Sequence, residues 1–470
     1  MRPLRLSEIA RMTGGRLHGE DRTVDAIVTD TRALSAASGA LFVALKGERF
    51  DGHDHVAVAA QAGVAAALVA REMETPLPQI VVADTERALA DLAAALQRDR
   101  STRVVAITGS NGKTSVKALL LAILERATPP AGTAVYANPG NRNNQIGLPL
   151  AVLDAPDDAV YAVYEMGAGK PGDIAYLTAI ARPDVALVNN IAPAHLERLG
   201  SLLGVADTKA AIYDALPPDG VAVINADDAF APYFGERAHG RQLIRFGLET
   251  SADVTARAVQ PTEGGSRFIL VAPTGEAAIT LAMPGRHNVR NALAAASLAL
   301  GLGVALDVIA GGLNAAQPVS GRLIAHRLGN GGVLIDDSYN ANPGSLAAAI
   351  DTLAEMTGDG DEGWLVLGDM RELGDDAAAM HAEAGRRAKA AGIARLYTLG
   401  ELSAAAAEAF GDGAHQYDSH DALTNALSGE LRAGVRVLVK GSRGSAMDRI
   451  VTALLADAKP AAGKGDTDAA

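Results

Sequence analysis

Short apolar runs of β character alternate with alanine-rich helical stretches along the whole chain. Examples are "LFVAL", "AALVA", "RVVAIT", "AVYAVYEM", "VALVNNI", "GVAVIN", "GVLIDD", "GWLVLGD", "RLYTLG" and "VRVLVKG". Strand-helix alternation predicts an α/β protein whose parallel sheets are flanked by helices. A chain of 470 residues exceeds one ordinary core, so two or three such units are expected. Boundaries are expected near "QRDRSTR" and near "NAAQPVSGR", where Pro318 and Gly321 break a helix. The resulting domains are 1–100, 101–318 and 319–456. Between about 243 and 282 the text turns strand-like and turn-rich, which predicts a small antiparallel excursion in the middle unit. The tail 457–470, "DAKPAAGKGDTDAA", has no hydrophobic pattern and reads as disordered.

Composition narrows the class. No cysteine is present, which excludes disulfides, thiolate metal sites and a cysteine nucleophile. A formal net charge of -13 argues against a general nucleic-acid binder. The N-terminal "MRPLRLSEIARMTGG" lacks the apolar core of a signal peptide. The longest apolar region, "VAVAAQAGVAAALVA", is interrupted by Gln61 and Gly63 and is too short to span a bilayer. The expectation is a soluble, cytoplasmic, monomeric protein, with no membrane insertion and no nucleic-acid partner.

The most specific stretch is "ITGSNGKTS", residues 107–115, set between the strand-like "RVVAIT" and the helix-like "VKALLLAILERA". The common phosphate-loop pattern G-x-x-x-x-G-K-[ST] wants glycine where this chain has Ile107. Gly109 and Gly112 nonetheless let successive N–H groups face one anion, and the helix adds its positive end. Lys113 can then reach the outer phosphates of a nucleotide, and the Thr114 hydroxyl can hold Mg²⁺. A bland strand-to-helix turn is the weaker reading, because both flanks have the required pattern.

The form "TGSNGKT" resembles the loop of the Mur ligases and folylpolyglutamate synthases, which use ATP to form amide bonds. The resemblance to the Mur ligases continues through "NPGNRNNQIGLPLAVL", "YEMGAGKPGDIAYLTAIARPDVALVNNIAPAHLERLGS", "MPGRHNVRNALAA", "SGRL", "DDSYNANPGSL", "GDMRELG" and "KGSRGSAM". The N-terminal "VTDTRALSAASGALFVALKGERFDGHDHV" is similar to a nucleotide-sugar domain that two branches of the family share. "DDSYNANP", "GDMRELG" and "KGSR" together resemble the branch that joins D-alanyl-D-alanine to UDP-N-acetylmuramoyl-tripeptide. No "DNPR", the segment many diaminopimelate-adding members carry, is found. Arg142 stands where the family often has an aromatic residue.

The resemblance implies a role for each of a set of residues. The fold would be a UDP-sugar-binding α/β domain, a central ATPase-type parallel-sheet domain and a Rossmann-like C-terminal domain. Lys113, Glu165, His195, Lys209 and Arg322 would be catalytic. Gly109, Ser110, Asn111, Gly112, Lys113, Thr114 and Ser115 would bind ATP with Asn288, Asn291, Arg322 and Asp337. Thr114, Glu165, His195 and Lys209 would hold Mg²⁺, with Lys209 carrying a CO₂-derived carbamate. Asp30, Thr31, Arg32, Lys46, Asp51, Gly52 and His53 would bind the nucleotide sugar. Asn141, Asn143, Asn144, Asn340, Asn342, Lys440 and Ser442 would contact substrate, with Arg443 beside them.

By chemistry alone several of these residues have plainer readings. Glu165 is a strand-end acid, His195 a lone histidine, Lys209 a solvated helix lysine and Arg322 a solvated linker arginine. Asn288 suits a helix cap. Asn340 and Asn342 suit turns, and the N-terminal set are ordinary loop residues. The reaction that the resemblance implies is ATP-dependent amide formation through an acyl phosphate. The rivals are another Mur ligase, a folylpolyglutamate synthase, or a partner that binds nucleotide without catalysis.

Overall fold

The computed structural model describes residues 1–32, 39–128, 134–193, 196–262, 264–358 and 360–457. The expectations for His195 and for the tail beyond residue 457 lie outside the described residues.

The middle of the chain forms a six-stranded sheet. Its order is Gln242–Phe246, Val221–Asn225, Val185–Val188, Arg103–Thr108, Tyr161–Glu165 and Val135–Ala137, all parallel. Helices cover both faces, so the inner strands read as continuous apolar runs rather than as alternation. Strand register sets where the site can form. Glu165 pairs with Ile107 and Val188 with Thr108, so three strands end at one level. The residues just beyond that edge come together where ligands bind in open α/β sheets.

The helix Lys113–Ala127 leaves this edge and packs on one face. Its Val116, Leu120 and Ile123 share a core with Leu293 and Leu313 of the helices Arg286–Gly301 and Leu306–Ala315. The antiparallel strands Thr255–Thr262, Gly265–Ala272 and Gly275–Leu281 close over the same core with Phe268, Leu270 and Ile279. This is the small excursion expected from the turn-rich text. On the opposite face, Leu89, Leu92 and Leu96 of the helix Thr85–Asp99 join Tyr164, Ile174 and Leu177 in one cluster. The N-terminal segment is thereby fastened to the central sheet by apolar burial.

The first sheet runs Arg16–His18, Gln79–Val81, Ala66–Val69, Ala40–Val43, Ala26–Val28. The last runs Ile324–Arg327, Val333–Asp337, Val435–Lys440, Glu362–Gly368, Arg395–Leu399, Ala414–Tyr417. The expectation of parallel sheets needs one correction in each: Arg16–His18 and Ile324–Arg327 are antiparallel edge strands. No helix among the described residues is long and apolar enough to cross a membrane.

The phosphate-loop helix rests on its neighbour at a glycine. A Cβ at Gly312 would lie 2.4 Å from Ile123 Cα, a backbone atom that cannot yield. Gly312→Ala should therefore push the two helices apart and cost about 1–3 kcal/mol. Urea unfolding of the variant checks this; an unchanged midpoint would mean that the contact bears no load.

Candidate active site

The phosphate loop depends on glycine and is held by amides. Gly112 has φ 79°, and a Cβ there would sit 2.5 Å from both the Asn189 and Asn291 amides. Glycine is needed on both counts. Asn190 Oδ1 accepts from Asn111 N at 2.8 Å, and Ser110 N donates to Asn190 O at 2.9 Å. The Asn189 amide donates to Asn111 O at 2.9 Å and to Asn291 Oδ1 at 3.1 Å. Asn291 in turn donates to Asn288 Oδ1 at 3.1 Å. Asn288 does not cap the helix, so the plainer reading of it falls away. The helix begins at Arg286 after Gly285, and the Asn288 amide reaches back to Pro284 O at 2.8 Å. Ser115 is buried in the first turn of the helix that follows the loop.

Lys113 turns back onto the loop and donates to Gly109 O at 2.8 Å. Burial pushes its amine below the usual lysine range. Glu165 opposes that shift and Arg322 adds to it.

Glu165 is the hub. Thr114 Oγ1 donates to its Oε2 at 3.0 Å, and Arg322 Nη2 donates to the same hydroxyl at 3.0 Å. Asn143 donates to Oε1 at 3.2 Å, and Lys117 Nζ lies 3.4 Å from Oε2. Burial raises the Glu165 carboxyl, but Lys113, Lys117, the Thr114 bond and Arg322 outweigh it and hold the group below its ordinary value. Arg322 is therefore no solvated linker residue. Its guanidinium also stacks on Tyr339, 4.5 Å from the ring centre. Asn342 adds a second bond from the last sheet's side, its amide donating to Asn111 Oδ1 at 2.7 Å.

Lys209 lies in the helix Leu202–Asp214 and is only 2% exposed, so the plain reading of a solvated lysine is corrected. Burial first, then the nearby Lys113 cation, pushes its amine down to about 7 against the pull of Asp173. Among the described residues no three His, Cys, Asp or Glu side chains cluster to hold a metal.

Other expected residues are occupied with one another. Lys440 Nζ donates to Asp337 Oδ2 at 2.6 Å and to Asn340 O at 3.0 Å, both deep in the protein. Burial raises the Asp337 carboxyl above its usual value despite that partner. Two residues assigned to different ligands thus form one ion pair. Asn340 accepts from Ala341 N, and Asn342 caps the helix Pro343–Met356, as the turn reading expected. Ser442 Oγ donates to Ala341 O at 3.2 Å. Asn144 Oδ1 accepts from Gly147 N at 2.8 Å at the start of a helix, while Asn141 is exposed. Arg142 pairs with Asp154 at 2.8 Å.

The N-terminal set forms a separate group. Asp30 and Arg32 pair at 2.6 Å on either side of Thr31. That contact holds the Asp30 carboxyl down to about 2. His53 Nε2 accepts from Ala70 N at 2.8 Å, so the proton sits on Nδ1, which donates to Asp51 Oδ1 at 2.5 Å. Lys46 pairs with Asp51 by a backbone bridge, and a Cβ at Gly52 would meet Leu45 O at 2.6 Å.

Sequence reasoning missed Lys117, Asn138, Asn189 and Asn190. The last two follow directly on the strand Val185–Val188, where an Asn-Asn pair at a strand end was a usable signal. Lys117 stands three residues after Thr114 and so shares its helix face.

With this geometry in view, comparison with known proteins gives a consistent result. Residues 107–299 match the Mur ligase middle domain, 321–443 the Mur ligase, glutamate ligase domain, and 23–97 the Mur ligase family, catalytic domain. The chain belongs to the Mur ligase family, ATP-dependent enzymes that form a carbon–nitrogen bond. Within that family it is similar to the UDP-N-acetylmuramoyl-tripeptide–D-alanyl-D-alanine ligase of Escherichia coli. The two are 44% identical over 96% of this chain and 98% of that one. The crystal structure of MurF from Acinetobacter baumannii superposes with a TM-score of 0.91 at 34% identity, over 97% of this chain and 99% of that one. That of the MurF ligase from Thermotoga maritima in complex with ADP gives 0.82 at 27%, over 92% of this chain and 97% of that one.

The depressed Lys209 amine has a thermodynamic consequence. Its folded value of about 7 lies below the ordinary 10.5. Between those values the unfolded chain holds one more proton than the folded chain, so this group's contribution to stability rises with pH. Lys209→Met removes the buried charge. In CO₂-free buffer the variant should gain melting temperature most at or below about pH 7, and the gain should shrink toward pH 10. A gain that does not vary with pH would contradict the buried amine.

Proposed function

We propose that this chain joins D-alanyl-D-alanine to UDP-N-acetylmuramoyl-tripeptide, with ATP converted to ADP and phosphate. The carrying observation is the convergence of Lys113, Thr114, Glu165 and Arg322, contributed by both sides of Gly321, on one phosphate loop. We take 1–100, 101–318 and 319–456 as the nucleotide-sugar, ATP and C-terminal domains. The protein would act as a cytoplasmic monomer in the synthesis of a cell-wall precursor.

In this reading the loop amides and Lys113 cradle the phosphates of ATP. Lys113 releases Gly109 O and Arg322 releases Thr114 when nucleotide arrives. Both cations then meet the γ-phosphate, where charge develops in the transition state. The terminal carboxylate of the tripeptide attacks the γ-phosphorus, giving an acyl phosphate and ADP. The amine of the dipeptide attacks the acyl carbon, loses a proton, and phosphate leaves. No protein nucleophile is required. Positioning and charge neutralisation carry the rate.

Thr114 and Glu165, 3.0 Å apart and both oxygen donors, suit a hard cation. With His195 and a carboxylated Lys209 they would hold Mg²⁺, whose charge neutralises the phosphates. The Lys209 amine must be neutral to add CO₂, forming an N–C bond and releasing one proton. Burial and Lys113 favour that neutral form. The carbamate would turn a cation repelled by Lys113 into an anion attracted to it.

Asp30, Thr31, Arg32, Lys46, Asp51, Gly52 and His53 would take the uridine diphosphate. Asn141, Asn143 and Asn144 would face the tripeptide. Asn340, Lys440, Ser442 and Arg443 would lie on the dipeptide side. Asn288, Asn291 and Asp337 would serve the nucleoside end of ATP.

Lys113→Ala should abolish phosphate release while UDP-sugar binding, read by calorimetry, persists. Loss of that binding in a folded variant would break the domain assignment. Lys209→Ala should be inactive and partly restored by formate or acetate. A fully active Lys209→Ala enzyme would remove the residue from the mechanism. Mass spectrometry of products from muramoyl peptides, folates and free amino acids tests the acceptor. Transfer of glutamate to folate, or of a free amino acid to the muramoyl dipeptide, would overturn the reading.

A further inference from the structure

Lys117 is a buried cation with no part in the ligation steps. Its side chain is 9% exposed and its partner Glu165 is 6% exposed. Lys117 sits one helical turn after Lys113, on the same face, yet the two amines do different things. Lys113 folds back on the phosphate loop. Lys117 Nζ lies 3.4 Å from Glu165 Oε2 and donates to Asn138 O at 3.0 Å.

Asn138 extends the link. Its Oδ1 accepts from Glu165 N at 2.9 Å, and its Nδ2 donates to Glu165 O and to Arg142 O, each at 3.0 Å. Asn143, further along the same loop, reaches Glu165 Oε1 at 3.2 Å. One ammonium thus joins three pieces: the phosphate-loop helix, the strand end bearing Glu165, and the loop 138–144.

We infer that Lys117 is a positioning residue for the ligation, holding Glu165 and the loop 138–144 as one unit beneath the phosphate loop. The inference rests on the reading of Glu165 as part of the active site. A plain stabilising ion pair is the bland alternative. Buried pairs are poor stabilisers, since apolar replacement is often neutral or better. The location argues for function: Thr114 and Arg322 are the groups nucleotide would draw away. Lys117 and Asn143 then remain to hold the carboxylate.

The test is a double-mutant cycle of Lys117→Met and Glu165→Gln, with ADP binding by calorimetry and thermal melts alongside. Lys117→Met should lower kcat about 100-fold, the scale of a small misplacement at a reacting centre. ADP affinity should stay within about threefold of the parent, and the double variant should be no slower than the slower single within about threefold. A Lys117→Met enzyme within about threefold of the parent kcat, a collapse of ADP affinity, or losses that multiply in the double variant would each overturn the inference. A fully active Glu165→Gln enzyme would instead sink the reading of Glu165. If Lys117→Met does not fold, Lys117→Gln, which keeps a donor for Asn138 O and loses the charge, enters the same cycle.

Discussion

One carboxylate gathers three cations in a buried place. Glu165 is approached by Lys113, Lys117 and Arg322, and each would be costly to bury alone. The carboxylate is costly too, and these cations together with the Thr114 bond hold it below its ordinary value despite burial. The surplus is positive, which is the state a site awaiting polyphosphate requires. The strand register that sets Glu165 level with Ile107 makes the arrangement possible. So does the chain crossing at Gly321, whose φ of 71° turns the backbone before Arg322.

Much of this was legible. Strand, glycine turn and helix around Lys113 followed from local pattern, and so did the antiparallel excursion after residue 254. The burial of Lys209 was legible in principle. Val205, Ile212 and Tyr213 stand at helical spacing from it, and all are buried. The edge hairpin of the last sheet also had its signal. "LGNGG" is a turn sequence, and Gly331 N donates to Leu328 O at 3.0 Å there.

Other features were not accessible from local text. Asp337 and Lys440 are 103 residues apart and meet only because their strands pair in register. The Arg322–Thr114 and Asn342–Asn111 bonds join pieces more than 200 residues apart. Such contacts depend on how sheets sit against one another, which no periodicity encodes. Resemblance supplied Arg322 and Asn342 as candidates; it did not supply their partners.

Beside the Lys113 ammonium and the Ser110 hydroxyl, the grip on the phosphate loop consists of carboxamides and backbone groups: Asn189, Asn190, Asn291, Asn342 and Asn111 itself. Amides neither titrate nor recruit counterions in the ordinary range. The amide part of the mould that shapes the anion pocket is therefore indifferent to acidity and ionic strength. Sensitivity to both is confined to the charged groups that touch the reacting phosphate. Form and charge are thus assigned to chemically distinct side chains, and conditions that weaken the second leave the first intact.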